Sequence, residues 1–419
     1  MLKIGVEAVD ITPPLGVELC GYGFYLKRKA KGIHDSLHGK ILILEDRGER
    51  YLYLNCELIA LGEDLVEEIR QLIAEEAKIK EKNIIFSCTH THSGPATAIL
   101  YGCGEIDEKY LSSSSLPEQF LRGVNRALKK MKKAKIGFAK TTSDLSYNRT
   151  KKDGIVDRQV MVAKIDTEED KPLAILFNYA CHAVCLGRKN FLISADFPGF
   201  VCRKIEETTG AKAFFLQGAC GDIDPKGGPC PSFENAEKYG KILADTVLEV
   251  LPKIETNAQV NIDLVSRKIK LPLVIDRKAL MEEAEEKISV SPARTKKFYQ
   301  NWKRRFLKKL EENISSETSA EIQVLSVNDA CFFFLPGEVF TKFGLEIKSG
   351  HSFNYNFIVG YSNGIIGYIP DKDDFKRKGY AASLAPKIYA EFPFQDNVGE
   401  ILVNEALNLS REKYGKISH

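Results

Sequence analysis

Thr89-His90-Thr91-His92-Ser93-Gly94-Pro95 concentrates more chemistry than any other stretch of this chain. Two imidazoles and three hydroxyls follow a short apolar run, Ile84-Ile85-Phe86, of the kind that forms a buried strand. In extended backbone, side chains two apart point the same way, so His90 and His92 are expected to share a face. The chain has only seven His, and two of them sit here. His-x-His at a strand end suits metal ligation or acid–base catalysis. A polar loop with hydrogen-bonded imidazoles accounts for the same residues.

Other reactive side chains keep the same phase. His182, Asp222 and Asp224, Glu338 and Tyr368 each lie just past the C-terminal end of an apolar run. In a parallel α/β sheet those ends share one edge, where sites form. Two His and one Glu make a catalytic zinc set with one position open for water or substrate. Ordinary capping of strand ends is the alternative. Competing chemistries lack their motifs, since the chain has no Gly-x-x-x-x-Gly-Lys and no Gly-x-Ser-x-Gly. Paired Cys-x-x-Cys is also absent, so no structural zinc is expected. His34-Asp35 lies in a Gly- and Ser-containing stretch and reads as a plain loop or as an element beside the site.

The elements that must position these residues read as strands and amphipathic helices in alternation. Glu63 to Lys78 carries Leu65, Ile69, Leu72 and Ile73 on one side of a helix. The expected fold is α/β, a mixed and largely parallel sheet flanked by helices, in one large domain spanning 1–419. Lys plus Arg is 60 against 57 Asp plus Glu, a net of +3, so no overall field points to nucleic acid. Apolar content of 44% is ordinary for a globular chain, and no apolar run reaches membrane-spanning length. Met1 leads straight into strand-like sequence without the apolar segment of a signal peptide, so a cytoplasmic location is expected. The ten Cys are then expected to stay reduced and fill core.

Residues 275–315 are highly charged, helical in pattern and look inserted. Phe298, Trp302, Phe306 and Leu310 recur every four residues among seven Lys and Arg. Such a helix either packs its stripe on the body or a second subunit, which is the preferred reading, or makes peripheral contact with an anionic membrane.

Together these stretches resemble the catalytic N-terminal domain of the neutral/alkaline (non-lysosomal) ceramidases. Thr89 to Pro95 is similar to that family's Thr-His-Thr-His-Ser-Gly-Pro signature. Asn178-Tyr179-Ala180-Cys181-His182 resembles the segment of its second zinc histidine, and Pro336-Gly337-Glu338 the segment of its carboxylate ligand. Gly367-Tyr368-Ile369 resembles the tyrosine-ligand segment, Tyr380 a second active-site tyrosine, and Asn148-Arg149-Thr150 the family's Asn-Arg-Ser. The resemblance implies Zn2+ held by His90, His182, Glu338 and Tyr368, with His92, Arg149 and Tyr380 around a small-molecule amide substrate, lipid or smaller and polar. It implies amide hydrolysis, in which zinc lowers the pKa of water and polarises the carbonyl.

Two departures accompany it. The family's Gly-Asp-x-Ser-Pro reads Gly221-Asp222-Ile223-Asp224-Pro225 here. A carboxylate at 224 is a ready proton acceptor and would serve as general base, unless it caps the turn before Pro225 or adds a metal contact. The family's C-terminal β-sandwich and secretion signal are also not found. The reading is a zinc-dependent amide hydrolase; the alternative is a zinc-bearing binding or regulatory protein in which Asp224 has ended catalysis.

Overall fold

The computed structural model describes residues 1–112, 115–226, 232–312 and 315–414. Its larger sheet has eight strands: β1 (Lys3–Asp10), β2 (His38–Asp46), β3 (Glu49–Cys56), β4 (Ile84–Cys88), β5 (Lys132–Thr142), β6 (Gln159–Thr167), β7 (Pro172–Tyr179) and β8 (Lys212–Gln217). They lie in the order β8-β7-β6-β5-β1-β2-β3-β4. A second sheet holds β9 (Ile262–Pro272), β10 (Glu317–Val327), β11 (Ala330–Phe334) and β12 (Tyr355–Val359), in sequence order.

The strands are apolar on both faces because both faces are covered. In β2, Ile41 and Ile43 point to the helices Glu63–Ala77 (α1) and Leu116–Lys129 (α2), with Phe120 and Val124 among their partners. Leu42 and Leu44 point the other way, where they meet Phe332, Phe334 and Phe357 of the second sheet. Helices Asp196–Thr209 (α3) and Phe233–Val250 (α4) cover Val160, Val162, Phe177 and Phe215 at the far half of the large sheet. The outer face of the second sheet is covered by helices Arg277–Val290 (α5), Ala293–Glu311 (α6), Thr341–Ser349 (α7) and Val398–Tyr414 (α8). The architecture is therefore four layers, helices outside and two sheets face to face within.

The mixed sheet is as expected, but its balance is not. Only β3–β4 and β7–β8 in the large sheet and β11–β12 in the second run parallel among these twelve strands; the remaining pairings are antiparallel. The physical reason is short connections. Arg47 and Gly48, with φ of 50° and 81°, make the two-residue left-handed turn that folds β2 back on β3. Side chains near the parallel edges tie the two ends of the large sheet together. Asn55 Nδ2 donates to Phe215 O (3.0 Å) and Gln217 Nε2 donates to Thr89 O (3.1 Å).

The expected insertion is the helix pair α5–α6, which interrupts the β9–β10 hairpin; residues 313–314 of it lie outside the described part. Its aromatic stripe faces inward, with Phe298, Trp302 and Phe306 at 1%, 7% and 5% exposure. Phe306 meets Phe392 edge-on at 5.3 Å. The stripe is thus packing surface and is not free to enter a membrane. No helix among the described residues is long and apolar enough to cross one. The nine described cysteines are all free and buried.

Candidate metal and active site

The three parallel strand pairs carry the site. At the end of β4, Cys88 N donates to Tyr361 O, and two residues on His90 takes a left-handed backbone (φ 63°). That conformation is costly for a non-glycine residue and is held here by surrounding contacts. It breaks the extended alternation expected to put His90 and His92 on one face, yet their rings still meet edge-on at 4.8 Å. Past β7, His182 is fixed through its backbone N–H on Ile223 O (3.1 Å). Past β11, Glu338 starts a two-residue strand, Glu338–Val339, that pairs in parallel with Tyr368–Ile369 and sets Glu338 opposite Tyr368.

The donor atoms converge. Nε2 of His182 and Nε2 of His90 lie 3.0 and 3.3 Å from Glu338 Oε2, and the Nε2 atoms of His90 and His92 are 3.1 Å apart. One ligand atom from each of His90, His92 and His182 falls within 4.8 Å of the other two. His92, expected beside the metal as a catalytic group, thus stands within the donor cluster itself. Tyr361 Oη donates to Glu338 Oε2 (3.2 Å), and Tyr389 Oη donates to Glu338 Oε1.

The hydrogen bonds behind the imidazoles decide what the cluster is for. Nδ1 of His90 contacts Ile59 O (2.7 Å) and Nδ1 of His182 contacts Ile223 O (3.0 Å). A carbonyl only accepts, so both Nδ1 atoms carry the proton, and in the neutral imidazoles both Nε2 atoms then present lone pairs. Those lone pairs face a buried carboxylate oxygen, a repulsive arrangement unless a cation stands between them. A tetrahedral ion bound at about 2.0–2.1 Å separates neighbouring donors by roughly 3.3 Å. The observed spacings sit close to this, so the residues fit a metal ion of the zinc type. Burial, helped by His90 and His182, holds the His92 imidazole well below its usual range. Burial and Arg149 push His182 down as well. Burial alone would raise Glu338; with no metal between them, protonated His90 and His182 would instead hold its carboxyl well below the usual range.

Arg149 and Asp224 form a second group. The three-residue strands Ser146–Asn148 and Ile223–Pro225 pair antiparallel, which places Asp224 opposite Tyr147 and brings Arg149 beside it. Arg149 Nη1 donates to Asp224 Oδ1 (3.2 Å), and its Nη2 donates to Gly221 O (2.8 Å) and to Tyr368 Oη (3.0 Å). Asp222 is different in role: buried, it accepts from Asn148 Nδ2 and Thr341 N and ties the ribbon to α7. Tyr380 stands half-exposed at the rim, its ring edge-on to Tyr368 at 5.6 Å. A cavity of about 510 Å³ joins both groups, with His90, His92, Arg149, Asp224, Glu338 and Tyr368 in its wall. Much of the rest is apolar, including Phe24, Leu100, Phe340, Leu384 and Ile388.

The residues singled out by sequence meet here except His182, which reaches the donor cluster without lining the cavity, Asp222, which lies buried behind it, and the pair His34-Asp35, which lies elsewhere. Asp35 accepts from Ser194 Oγ and Ala195 N at the start of α3, and His34 stacks on Phe233 at 3.7 Å. Tyr361 and Tyr389 were missed. Tyr361 follows an apolar strand as His90 does, a signal that could have found it; Tyr389 sits in a short helical turn with none. Gly21 was missed too, and a Cβ there would lie 2.2 Å from His92 Nδ1.

Residues 2–240 match the family described as neutral/alkaline non-lysosomal ceramidase, N-terminal. Neutral ceramidase B of Dictyostelium discoideum is 26% identical over 268 residues, covering 54% of this chain and 37% of that protein. Neutral ceramidase of Mycobacterium tuberculosis is 24% identical over 286 residues, covering 57% and 44%. Each alignment thus spans less than half of the relative's length. In structure, the crystallised neutral ceramidase from Pseudomonas aeruginosa aligns with a TM-score of 0.76 at 16% identity, over 98% of this chain and 74% of that one. A ceramidase complexed with C2 aligns equally well, at 15% identity. At such identities the structural likeness speaks for the fold. With the family match extending over more than half of its length, the chain belongs to the neutral/alkaline non-lysosomal ceramidase family.

Proposed function

We propose that this protein is a zinc-dependent hydrolase of N-acyl amides. The observation that carries the reading is the convergence of two imidazole Nε2 atoms, each backed by a carbonyl on Nδ1, on one buried carboxylate beside a cavity with apolar walls. His90, His182 and Glu338 would hold the ion, with Tyr368 opposite Glu338 as the fourth protein ligand. When bound, the ion supplies Lewis-acid polarisation of a carbonyl and a water acidic enough to attack near neutral pH. Arg149, held on three sides, presents a fixed guanidinium to the oxygen on which charge develops. His92, neutral by burial and with Nδ1 lacking a partner, can take the proton that the attacking water gives up and pass it to the departing amine. Asp224, bound to Arg149, serves in this reading to place that guanidinium. Family membership and the likeness to ceramidase folds support an acyl-amide substrate; the amine portion is left open between a long-chain lipid and a smaller polar group.

The test is a panel of N-acyl amides offered to metal-loaded protein. Turnover of at least one, lost with a chelator and regained with zinc, is expected. Elemental analysis should find about one zinc per chain, falling sharply in His90→Ala and His182→Ala with circular dichroism unchanged. Undiminished zinc in both variants overturns the ligand assignment. Ligand retention without turnover would identify a binding protein instead.

A further inference from the structure

The inserted helix pair has no part in the donor cluster, yet it reaches the cavity through one loop. Residues 21–24 form a wall of the site, in a loop, 21–27, under considerable backbone strain. Gly21, Tyr22, Gly23, Tyr25 and Lys27 all have positive φ, and three of them are not glycine. Such conformations persist only where surrounding structure holds them, and they gather at ligand clamps. One side of this loop touches the chemistry: the Tyr22 ring lies 4.8 Å from that of His92. The other side is gripped by α6. Phe24 stacks on Phe298 with centroids 3.8 Å apart and planes 14° from parallel. Asn301 Nδ2 donates to Tyr25 Oη (2.8 Å), and Lys297 Nζ sits 5.0 Å above the Tyr25 ring. Phe298 is 1% exposed and belongs to the core, so the surface against which Phe24 rests is rigid.

We infer that the Phe24–Phe298 stack is a specificity element, a wall that α6 holds in place to limit the acyl chain the cavity admits. The inference rests on the acyl-amide reading and adds to it the part of the substrate that is measured. Phe24 lines the cavity together with Leu100 and Ile388, while the atoms behind its ring belong to the inserted helix. Truncating Phe24 opens the cavity toward that helix. Loosening Phe298 lets the Phe24 ring retreat without changing the residue that faces substrate. Each further methylene accommodated should tighten binding about fourfold.

The experiment follows chain length by two readouts on zinc-loaded protein. Saturated fatty acids of about four to sixteen carbons are titrated calorimetrically, and N-acyl amides of matching lengths with one common amine are assayed for hydrolysis. Phe24→Ala is expected to move the best-bound length upward by two or more carbons, roughly tenfold or more in relative affinity for the longer chains. The shortest acids should change by less than about twofold. Phe298→Leu, which keeps an apolar side chain in the core, should produce a smaller shift in the same direction. A length profile that stays in place in Phe24→Ala, or falls uniformly in both variants, overturns the inference and makes the stack mere packing. So does the absence of any fatty-acid binding by wild type. Fatty acids bound with the shifted profile, but no amide hydrolysed by any variant, would retain the wall and reject the hydrolase.

Discussion

Asp224→Asn separates a base from a positioning group. The substitution keeps the side chain's shape and an oxygen that can still accept from Arg149, and it removes the charge. At 3.2 Å the Coulomb attraction to Arg149 is about 5 kcal/mol for an effective dielectric of about 20, and about 1.3 kcal/mol in water. The pair lies between these limits, with the Arg149 side chain 26% and the Asp224 side chain 13% exposed. Desolvation and the two remaining anchors of Arg149, Gly221 O and Tyr368 Oη, offset most of the gain. A net loss of about 1–2 kcal/mol is expected, which is roughly 5- to 30-fold in kcat/KM. Removing a true general base costs about 100- to 10,000-fold. The assay is steady-state hydrolysis across pH with zinc content and melting temperature measured on the same preparations. A loss beyond about 100-fold with zinc retained, together with disappearance of the acidic limb of the pH profile, refutes the positioning role and restores Asp224 as base. An unchanged rate would say that Arg149 needs no partner. Asp224→Ser adds a separate comparison: ceramide hydrolysis appearing only there would make this position the divide between the chain and the ceramidases it resembles.

Two further predictions concern the scaffold. Burial alone would raise the Glu57 carboxyl, but Lys40 and His38 outweigh it and hold its pKa at about 2. Its contribution is therefore present above its unfolded value of 4.5 and is lost as pH falls from there through about 2, a loss measurable by urea denaturation at stepped pH. Glu57→Gln leaves buried Lys40 with only the more distant Glu206 carboxylate, and should cost about 3 kcal/mol at neutral pH and flatten that acid limb. Trp302 is the only tryptophan, 7% exposed against the core, so its emission should be that of a buried indole and unmoved by anionic vesicles at low salt. A shift on adding vesicles would mean that the α6 stripe leaves the body.

Much of this site could be read from residue type and phase. His90, His182 and Glu338 each follow an apolar run, and in the fold each follows a member of a parallel strand pair. The rule that joined them was sound locally even though the sheet as a whole is mostly antiparallel. What hid the antiparallel order is that both sheet faces are buried, so β2, β3 and β7 show the continuous apolar runs usually taken for parallel strands. The left-handed turn at His90 was invisible because the contacts that hold it come from segments distant in sequence. In the sequence Arg149 and Asp224 read as separate features. Their pairing depends on a three-residue ribbon too short to leave a periodic pattern. The α6 stripe could be seen, but its direction could not, since an amphipathic helix looks the same against a protein core or a bilayer.

The spread of the donors along the chain sets a timetable. His90 and His92 leave the ribosome early, whereas Glu338, which balances them, follows some 246 positions after His92 in the sequence, and Tyr389 later still. At bacterial-to-eukaryotic synthesis speeds that interval is roughly ten to fifty seconds. Through it, a cluster of imidazoles has no carboxylate opposite. The second sheet, which closes the inner face of the first, is also still to come. Contacts this distant in sequence form slowly because the loop must close before any contact is gained. Assembly of the centre is therefore a terminal event in folding, and a chain halted near residue 240 would carry both histidine segments without the ability to join them to Glu338.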